Sequence, residues 1–345
     1  MDKITIVGMG LIGSSLGMAL KKAQVQATIV GTDRDRVIAS EARKMGATDT
    51  TENNPIQAIK GAKLIIIATP VGAIQELMKL FGPELEDGVT VTDTGSTKAE
   101  VLRWAEEYLP STVNFVGGHP MAGKEISGPE AAQSDLFHGA TYCVIPGKNA
   151  SEEAVRTITQ MAETVGAKPY FIDPVEHDSY VAAVSHLPLV LSTVLMKINS
   201  SSPSWPEISR LASTGFRDVS RLASGSPEMS RDICMTNQDG IVYWIDQFIK
   251  ELYAFRGLLL EGGERPLGKA FDDAWEARDR WVQNKVTAPS SAPSVDIPTS
   301  AESMGGLVVG DRAAGLIREM LRWQKDDTRK TMPREEEEEK DEKTP

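Results

Sequence analysis

Cysteine is scarce: the 345-residue chain holds two, Cys143 and Cys234. That excludes a disulfide-stapled scaffold and a cysteine-built zinc site, and it fits a reducing compartment. Basic charge is also in short supply, with 37 Lys and Arg against 49 Asp and Glu, so binding to nucleic acid or to an anionic membrane is not expected. Part of the acidic excess is local. Arg334 to Pro345 carries seven acidic and three basic side chains and reads as a solvated tail. The chain opens without a basic stretch leading into an apolar core, and no uninterrupted apolar run reaches about 18 residues, so neither a secretory signal nor a membrane span is expected. The expectation is a soluble, cytoplasmic chain. What is present is ordinary globular composition, 41% hydrophobic and 25% charged, over a length that favours two domains.

Residues 3–7 (KITIV) are β-branched and end in glycines, and 14–22 follow with helical periodicity. A second apolar run at 27–30 closes on Gly31-Thr32-Asp33, and 34–45 read as a helix ending at Gly46. Further strands are expected at 63–68, 89–92, 113–116 and 141–145, with helices near 71–81, 97–108 and 151–165. Strands alternating with helices imply a mostly parallel sheet covered on both faces. From about 176 to 283 the pattern is helical throughout. The expected fold is therefore α/β, a Rossmann-type dinucleotide-binding domain over 1–173 followed by an all-α domain over 174–286. Residues 287–303 read as a Pro/Ser/Ala linker, 310–325 as a candidate further helix, and the acidic tail ends the chain.

Gly8-Met9-Gly10-Leu11-Ile12-Gly13 fits G-x-G-x-x-G and stands between a strand and a helix. Gly8 permits the tight turn, Gly10 lets the backbone approach a pyrophosphate, and Gly13 lets helix and strand pack closely, while Leu11 and Ile12 open a helix whose free N–H groups face the anion. Asp33, ending the second strand, can accept from the adenosine ribose hydroxyls and repels a 2′-phosphate, which favours NAD over NADP. Arg34 beside it can pair with such a phosphate or stack on adenine. Thr69-Pro70 leaves the sheet where the cofactor would lie, and a plain structural turn is the competing reading.

Two clusters follow strands: Asp93-Thr94-Gly95-Ser96-Thr97-Lys98, and Gly117-Gly118-His119-Pro120-Met121-Ala122-Gly123. Open α/β sheets build their crevices at such strand ends. His119, expected on an exposed loop, is the base candidate because neutral imidazole takes a proton near pH 7. Ser96 is placed to orient it or to cap the helix that follows. In the helical region, Ser185-His186-Leu187-Pro188 and Gly215-Phe216-Arg217-Asp218-Val219-Ser220-Arg221 offer arginine forks suited to a carboxylate substrate, with intramolecular pairing to Asp218 or Glu125 as the alternative.

Together, GMGLIGSSLG at 8–17, D-x-G-S-x-K at 93–98, GGHPMAG at 117–123, SHLP at 185–188 and GFRDVSRLA at 215–223 resemble the prephenate/arogenate dehydrogenases of tyrosine biosynthesis over about residues 1–285. The resemblance implies a helical domain that makes a homodimer, and NAD-dependent oxidative decarboxylation of prephenate, with arogenate as the alternative substrate. It implies that His119 takes the proton of the ring hydroxyl, that Ser96 supports it, and that Arg221 holds a substrate carboxylate. His186 would line the pocket, and Glu125 and Asp218 would be acidic partners of the arginine. No metal is required by that chemistry.

Two rivals stay open. The β-hydroxyacid dehydrogenases share the layout but usually depend on a lysine in the helical domain; no lysine here stands in a comparable motif, and Lys197 alone is left open for that role. A non-catalytic, NAD-responsive regulator on the same fold is the other, and the joint presence of Ser96 and His119 speaks against it. A chain ending at Val286 is expected to keep turnover within a few-fold of the full-length rate, and a collapse of turnover in that truncation contradicts the assignment of 287–345 as linker and tail.

Overall fold

The run Leu64–Ile67 is apolar along its whole length rather than alternating, because both faces of the sheet are covered there. In the computed structural model, which describes residues 2–283, 285 and 286, β1 (Asp2–Val7), β2 (Ala27–Thr32), β3 (Thr50–Thr51), β4 (Leu64–Ile67), β5 (Thr90–Asp93), β6 (Asn114–Pro120), β7 (Thr141–Pro146) and β8 (Lys168–Phe171) form one sheet. Its order is β3-β2-β1-β4-β5-β6-β7-β8. All neighbours are parallel except β6 and β7. The strand order reverses between β1 and β4, the switch point at which open α/β sheets take their ligands.

Alternation along β4 shows how the sheet is sealed. Leu64 and Ile66 join a core with Ile4, Ile6 and Leu16, whereas Ile65 and Ile67 point the other way into a core with Ile74, Phe81 and Trp104. Each such side chain contributes about 1.5–3 kcal/mol when fully buried. The covering helices are α1 (Leu11–Lys22), α2 (Arg36–Lys44), α3 (Pro55–Ile59), α4 (Val71–Phe81), α5 (Ala99–Tyr108) and α6 (Glu152–Thr164). Short β3, α3 and β8 escape sequence reading, since two to five residues carry no period to detect.

Asp173 accepts from the N–H groups of Val175 and Glu176, and Pro174 sits in the first turn, so the chain enters α7 (Pro174–Val181) with a strong start signal. A π-helical turn, Ala182–His186, leads into α8 (Leu187–Ser200). Pro188 lacks an N–H and its ring crowds the carbonyl four residues back, which is the ordinary cause of such widening. Then come α9 (Trp205–Leu211), α10 (Thr214–Ser220), a 3-10 turn at Arg221–Ser224, α11 (Pro227–Thr236) and α12 (Gln238–Gly257). The chain forms two compact units, Met1–Gly257 and a second from Leu258 onward, the described part of which is a π turn and α13 (Glu264–Val282). The expected linker, the candidate helix at 310–325 and the tail lie outside the described residues.

One expectation is corrected. Pro174–Ser200 is long and apolar enough to cross a membrane by length and composition, with a window hydropathy of 1.7. Polar residues such as His177, Asp178 and His186 interrupt the apolar run in sequence, but the Leu, Val and Ile residues between 181 and 198 keep the average high. All three of these are buried within the protein.

A helical glycine outside the G-x-G-x-x-G motif also fixes the packing. A Cβ on Gly17 would lie 2.1 Å from the Ala47 carbonyl oxygen, in the turn after α2. Alanine gains about 1 kcal/mol in helix propensity, but overpacking against backbone costs about 1–3 kcal/mol or more. Gly17→Ala is therefore expected to lower stability by about 1–2 kcal/mol, read from the urea midpoint; an unchanged or raised midpoint contradicts this packing.

Candidate active site

Backbone at the end of β1 builds the first half of the site. Gly8 has φ +94°, and a Cβ there would sit 2.6 Å from the Ala68 carbonyl oxygen. A Cβ on Gly13 would meet the Gly8 carbonyl oxygen at 2.0 Å, which is the close helix–strand approach. Gly10 differs: it caps α1 without any side-chain hydrogen bond, and nothing lies within 4 Å of where its Cβ would be. The N–H groups at the start of α1, at Leu11 and Ile12, therefore face open space, as an anion site requires. Thr69 Oγ1 is buried without a hydrogen-bond partner among the described residues, and Pro70 starts α4 next to it. Asp33 Oδ2 accepts the Met9 N–H at 2.7 Å and Oδ1 the Asp35 N–H at 2.9 Å, which ties the glycine loop to the end of β2. Arg34 is 84% exposed and lies 3.6 Å from Glu228 of α11. An open helix terminus, an orphaned buried hydroxyl and an anchored carboxylate fit a dinucleotide.

The second half forms where β5, β6 and α7 meet. His119 is not on an exposed loop; it lies within β6 and is 8% exposed. The strand continues through Gly117 and Gly118 because β7 pairs with it, setting His119 opposite Cys143. A side chain at Gly118 would collide with the Asp93 carbonyl and the Tyr142 hydroxyl, both at 2.6 Å. His119 Nδ1 lies 2.9 Å from His177 Nε2, and His177 Nδ1 lies 2.7 Å from Asp178 Oδ1. Asp178 also accepts the main-chain N–H groups of Lys98 at 2.7 Å and Ala99 at 2.9 Å, so a carboxylate from α7 caps α5. Lys98 and Asp93 are both 0% exposed and form an ion pair. Asp93 further accepts from Gly95 N–H at 2.7 Å and Gly118 N–H at 3.2 Å.

These surroundings keep His119 neutral. Burial above all, then the electrostatic influence of neighbouring His177, Lys98 and His186, holds its pKa well below the usual 6.5. His186, at the end of the π turn, is 1% exposed, and burial lowers its pKa to about 4. Its Nδ1 is 3.2 Å from Asn237 Nδ2, and its Nε2 has no hydrogen-bond partner among the described residues.

The remaining candidates are placed as follows. Ser96 is half-buried, and its main chain acts on His186; its hydroxyl makes no hydrogen bond to His119 and does not cap α5, whose N-cap residue is Lys98. Arg221 forms an ion pair with Glu125. Its 3-10 turn is held by the Ala223 N–H donating to buried Ser192 at 3.0 Å. Arg217 and Asp218 are exposed on α10 and make no ion pair among the described residues. Sequence reading passed over His177, Asp178 and Asn237. The one available signal was the adjacent His177-Asp178 pair, and nothing local marked Asn237.

Two family models match in order: the prephenate dehydrogenase nucleotide-binding domain over residues 16–171, and the prephenate dehydrogenase dimerization domain over 173–272. A prephenate dehydrogenase of Bacillus subtilis is 36% identical, the match covering 81% of this chain and 76% of that protein. A prephenate dehydrogenase from Aquifex aeolicus, solved with hydroxyphenyl propionate and NAD+, superimposes with TM-score 0.75 at 28% identity, over 81% of this chain and 98% of that one. Arogenate dehydrogenase from Synechocystis gives TM-score 0.68 at 28% identity, over 81% and 99%. The class that emerges is an oxidoreductase with a nucleotide-binding domain followed by a helical dimerization domain. Within that class, the chain belongs to the prephenate dehydrogenase family.

Acid should loosen this site before it touches the rest. An unfolded histidine binds its proton near 6.5 and folded His186 only near about 4, so its stabilising contribution is whole above pH 6.5 and is lost as pH falls toward 4. The loss is about 3 kcal/mol, with His119 acting in the same direction. Urea midpoints measured from pH 7 down to 4 should fall less steeply for His186→Gln than for wild type. Equal slopes contradict the burial of a neutral His186.

Proposed function

We propose that this chain is an NAD-dependent prephenate dehydrogenase that oxidises the ring carbinol of a cyclohexadienol acid with loss of the ring carboxylate. The observation that carries it is His119: a buried imidazole, held neutral, near the C-terminal end of β6 in the same sheet whose β1 runs into the open glycine turn. Gly8, Gly10, Gly13, Leu11, Ile12, Thr69, Pro70 and Asp33 would hold the dinucleotide. When bound, its nicotinamide supplies the hydride acceptor. Asp33 is already committed to two main-chain donors and Arg34 leans toward Glu228, an arrangement that favours a ribose diol over a 2′-phosphate.

His119 accepts the hydroxyl proton as the carbinol carbon becomes a ketone. That ketone withdraws the electrons of the bond to the carboxylate, CO2 leaves, and the ring becomes aromatic. Arg221 would exchange Glu125 for a substrate carboxylate, since the fork makes two charge-assisted hydrogen bonds. His186 and Ser96 line the same region. Arogenate is the second reading, favoured by the likeness to the Synechocystis enzyme; the two substrates share the ring and differ in the side chain. The division into 1–173 and 174–286, and a homodimer through the helical part, belong to the same proposal. The helical core is small, centred on Ala182, Ile233 and Ile241, and leaves Ile198, Leu211 and Val219 exposed. Uncovered apolar side chains of this kind suit a second copy.

The test is reduced-nicotinamide absorbance with NAD or NADP, offered prephenate and arogenate separately. Turnover with NAD and one of them is expected, with kcat for His119→Asn lower by about 10²–10⁴-fold. The base must be unprotonated, so a pKa below 6.5 keeps kcat/KM flat through neutral pH and places its acid limb lower. Absence of turnover with both substrates while NAD binds contradicts the proposal and favours a regulator.

A further inference from the structure

We propose that His177 and Asp178 are positioning residues that set the protonation form of His119, keeping its proton on Nδ1 and its lone pair on Nε2. The inference rests on His119 being the base of the reaction. The argument runs inward from the carboxylate. Asp178 accepts the Lys98 and Ala99 N–H groups at 2.7 and 2.9 Å, at the positive end of α5, where an acceptor is favoured and a donor is not. Facing that carboxylate at 2.7 Å, His177 Nδ1 must be the donor. A neutral imidazole carries one N–H, so His177 Nε2 is a bare acceptor. Its partner at 2.9 Å is His119 Nδ1, which therefore holds the single proton of His119. Nε2 of His119 is left with its lone pair and has no hydrogen bond to a described residue.

The reverse order fails at each contact. It would turn a His177 lone pair onto a carboxylate oxygen, and it would leave His119 presenting an N–H where the substrate needs an acceptor. Ring geometry agrees, since the two imidazoles meet edge to face, 5.1 Å apart at 68°. The groups around His119 from the packed elements are His177 and His186 from the helix, Lys98 ahead of α5, Asp93 of β5 and Cys143 of β7. Among these, His177 alone makes a hydrogen bond to the His119 ring. Orientation by a second histidine and a helix-capping carboxylate is thus added to the support of His119 and the substrate hydroxyl expected of Ser96.

Asp178 also caps α5, so its replacement could fail by misfolding. Two changes at His177 separate the effects in the full-length chain. His177→Gln places an amide oxygen near the position of Nε2 and keeps the acceptor; His177→Leu fills the space without one. Expected is a kcat for His177→Leu lower by about 10²–10⁴-fold, an unchanged KM for NAD, and a His177→Gln rate within a few-fold of wild type. In ¹⁵N-histidine-labelled protein without ligand, ring-nitrogen shifts should put the His119 proton on Nδ1 in wild type and in His177→Gln, the signal being assigned through its loss in His119→Asn. A proton on Nε2 in wild type, or equal rates for the Leu and Gln variants, overturns the relay. Full turnover by His119→Asn instead overturns the base on which it rests, and the spectrum keeps the two results apart.

Discussion

The carboxylate of Asp178 is the point on which the site turns. It is one buried group on α7, yet it closes the N-terminus of α5 and holds His177. Through its main-chain carbonyl it also takes the Asn237 side chain at 2.7 Å, which in turn reaches His186. Each donor left unsatisfied on its loss would cost about 1–3 kcal/mol. The sheet region supplies α5 and β6, the helical region supplies α7, and the surroundings of His119, the proposed base, are complete only where the two are joined by this group.

Electrostatics beneath the site follow a consistent plan. The Lys98–Asp93 pair is sealed from solvent, and the Asp93 carboxylate is further neutralised by the N–H groups of Gly95 and Gly118. What reaches His119 from this pair is the lysine, which adds to burial in disfavouring imidazolium. In the proposed role, a proton taken from substrate would be held weakly and returned readily, while one from bulk solvent is not taken up near neutral pH. The same burial pushes the Tyr142 phenol far above its ordinary range, leaving a second polar group at the base of the site that stays uncharged.

Much of this was legible in the residues, for reasons that can be stated. The glycine motif, the unbroken apolar strands and α4 at 71–81 all depend on local sequence, and the fold followed from them. Family likeness carried His119, Arg221 and its ion pair with Glu125. The relay was not legible, because His177 and His119 are 58 residues apart in sequence and nothing local marks them as neighbours. Ser96 was favoured for the supporting role since it stands in a conspicuous strand-end cluster. Its hydroxyl makes no hydrogen bond to His119, and the N-terminus of α5 that it was also considered to cap is occupied from across the fold by Asp178. His119 was read as a loop residue because Gly-Gly and Pro usually interrupt strands; pairing with β7 overrides that tendency.

The π turn at Ala182–His186 has a consequence for helical phase. His177 and His186 are nine residues apart, about two and a half turns of an unbroken α-helix, which would set their side chains on opposite faces. Hydrogen bonds spanning five residues instead of four widen the turn and lag the rotation, bringing both rings round toward one side. The stretch of helix between them works as an angular offset. Removal of a single residue from it would restore regular winding over the remaining eight, about 80° past two full turns, and so leave His186 and α8 near the bearing that the π turn already gives them.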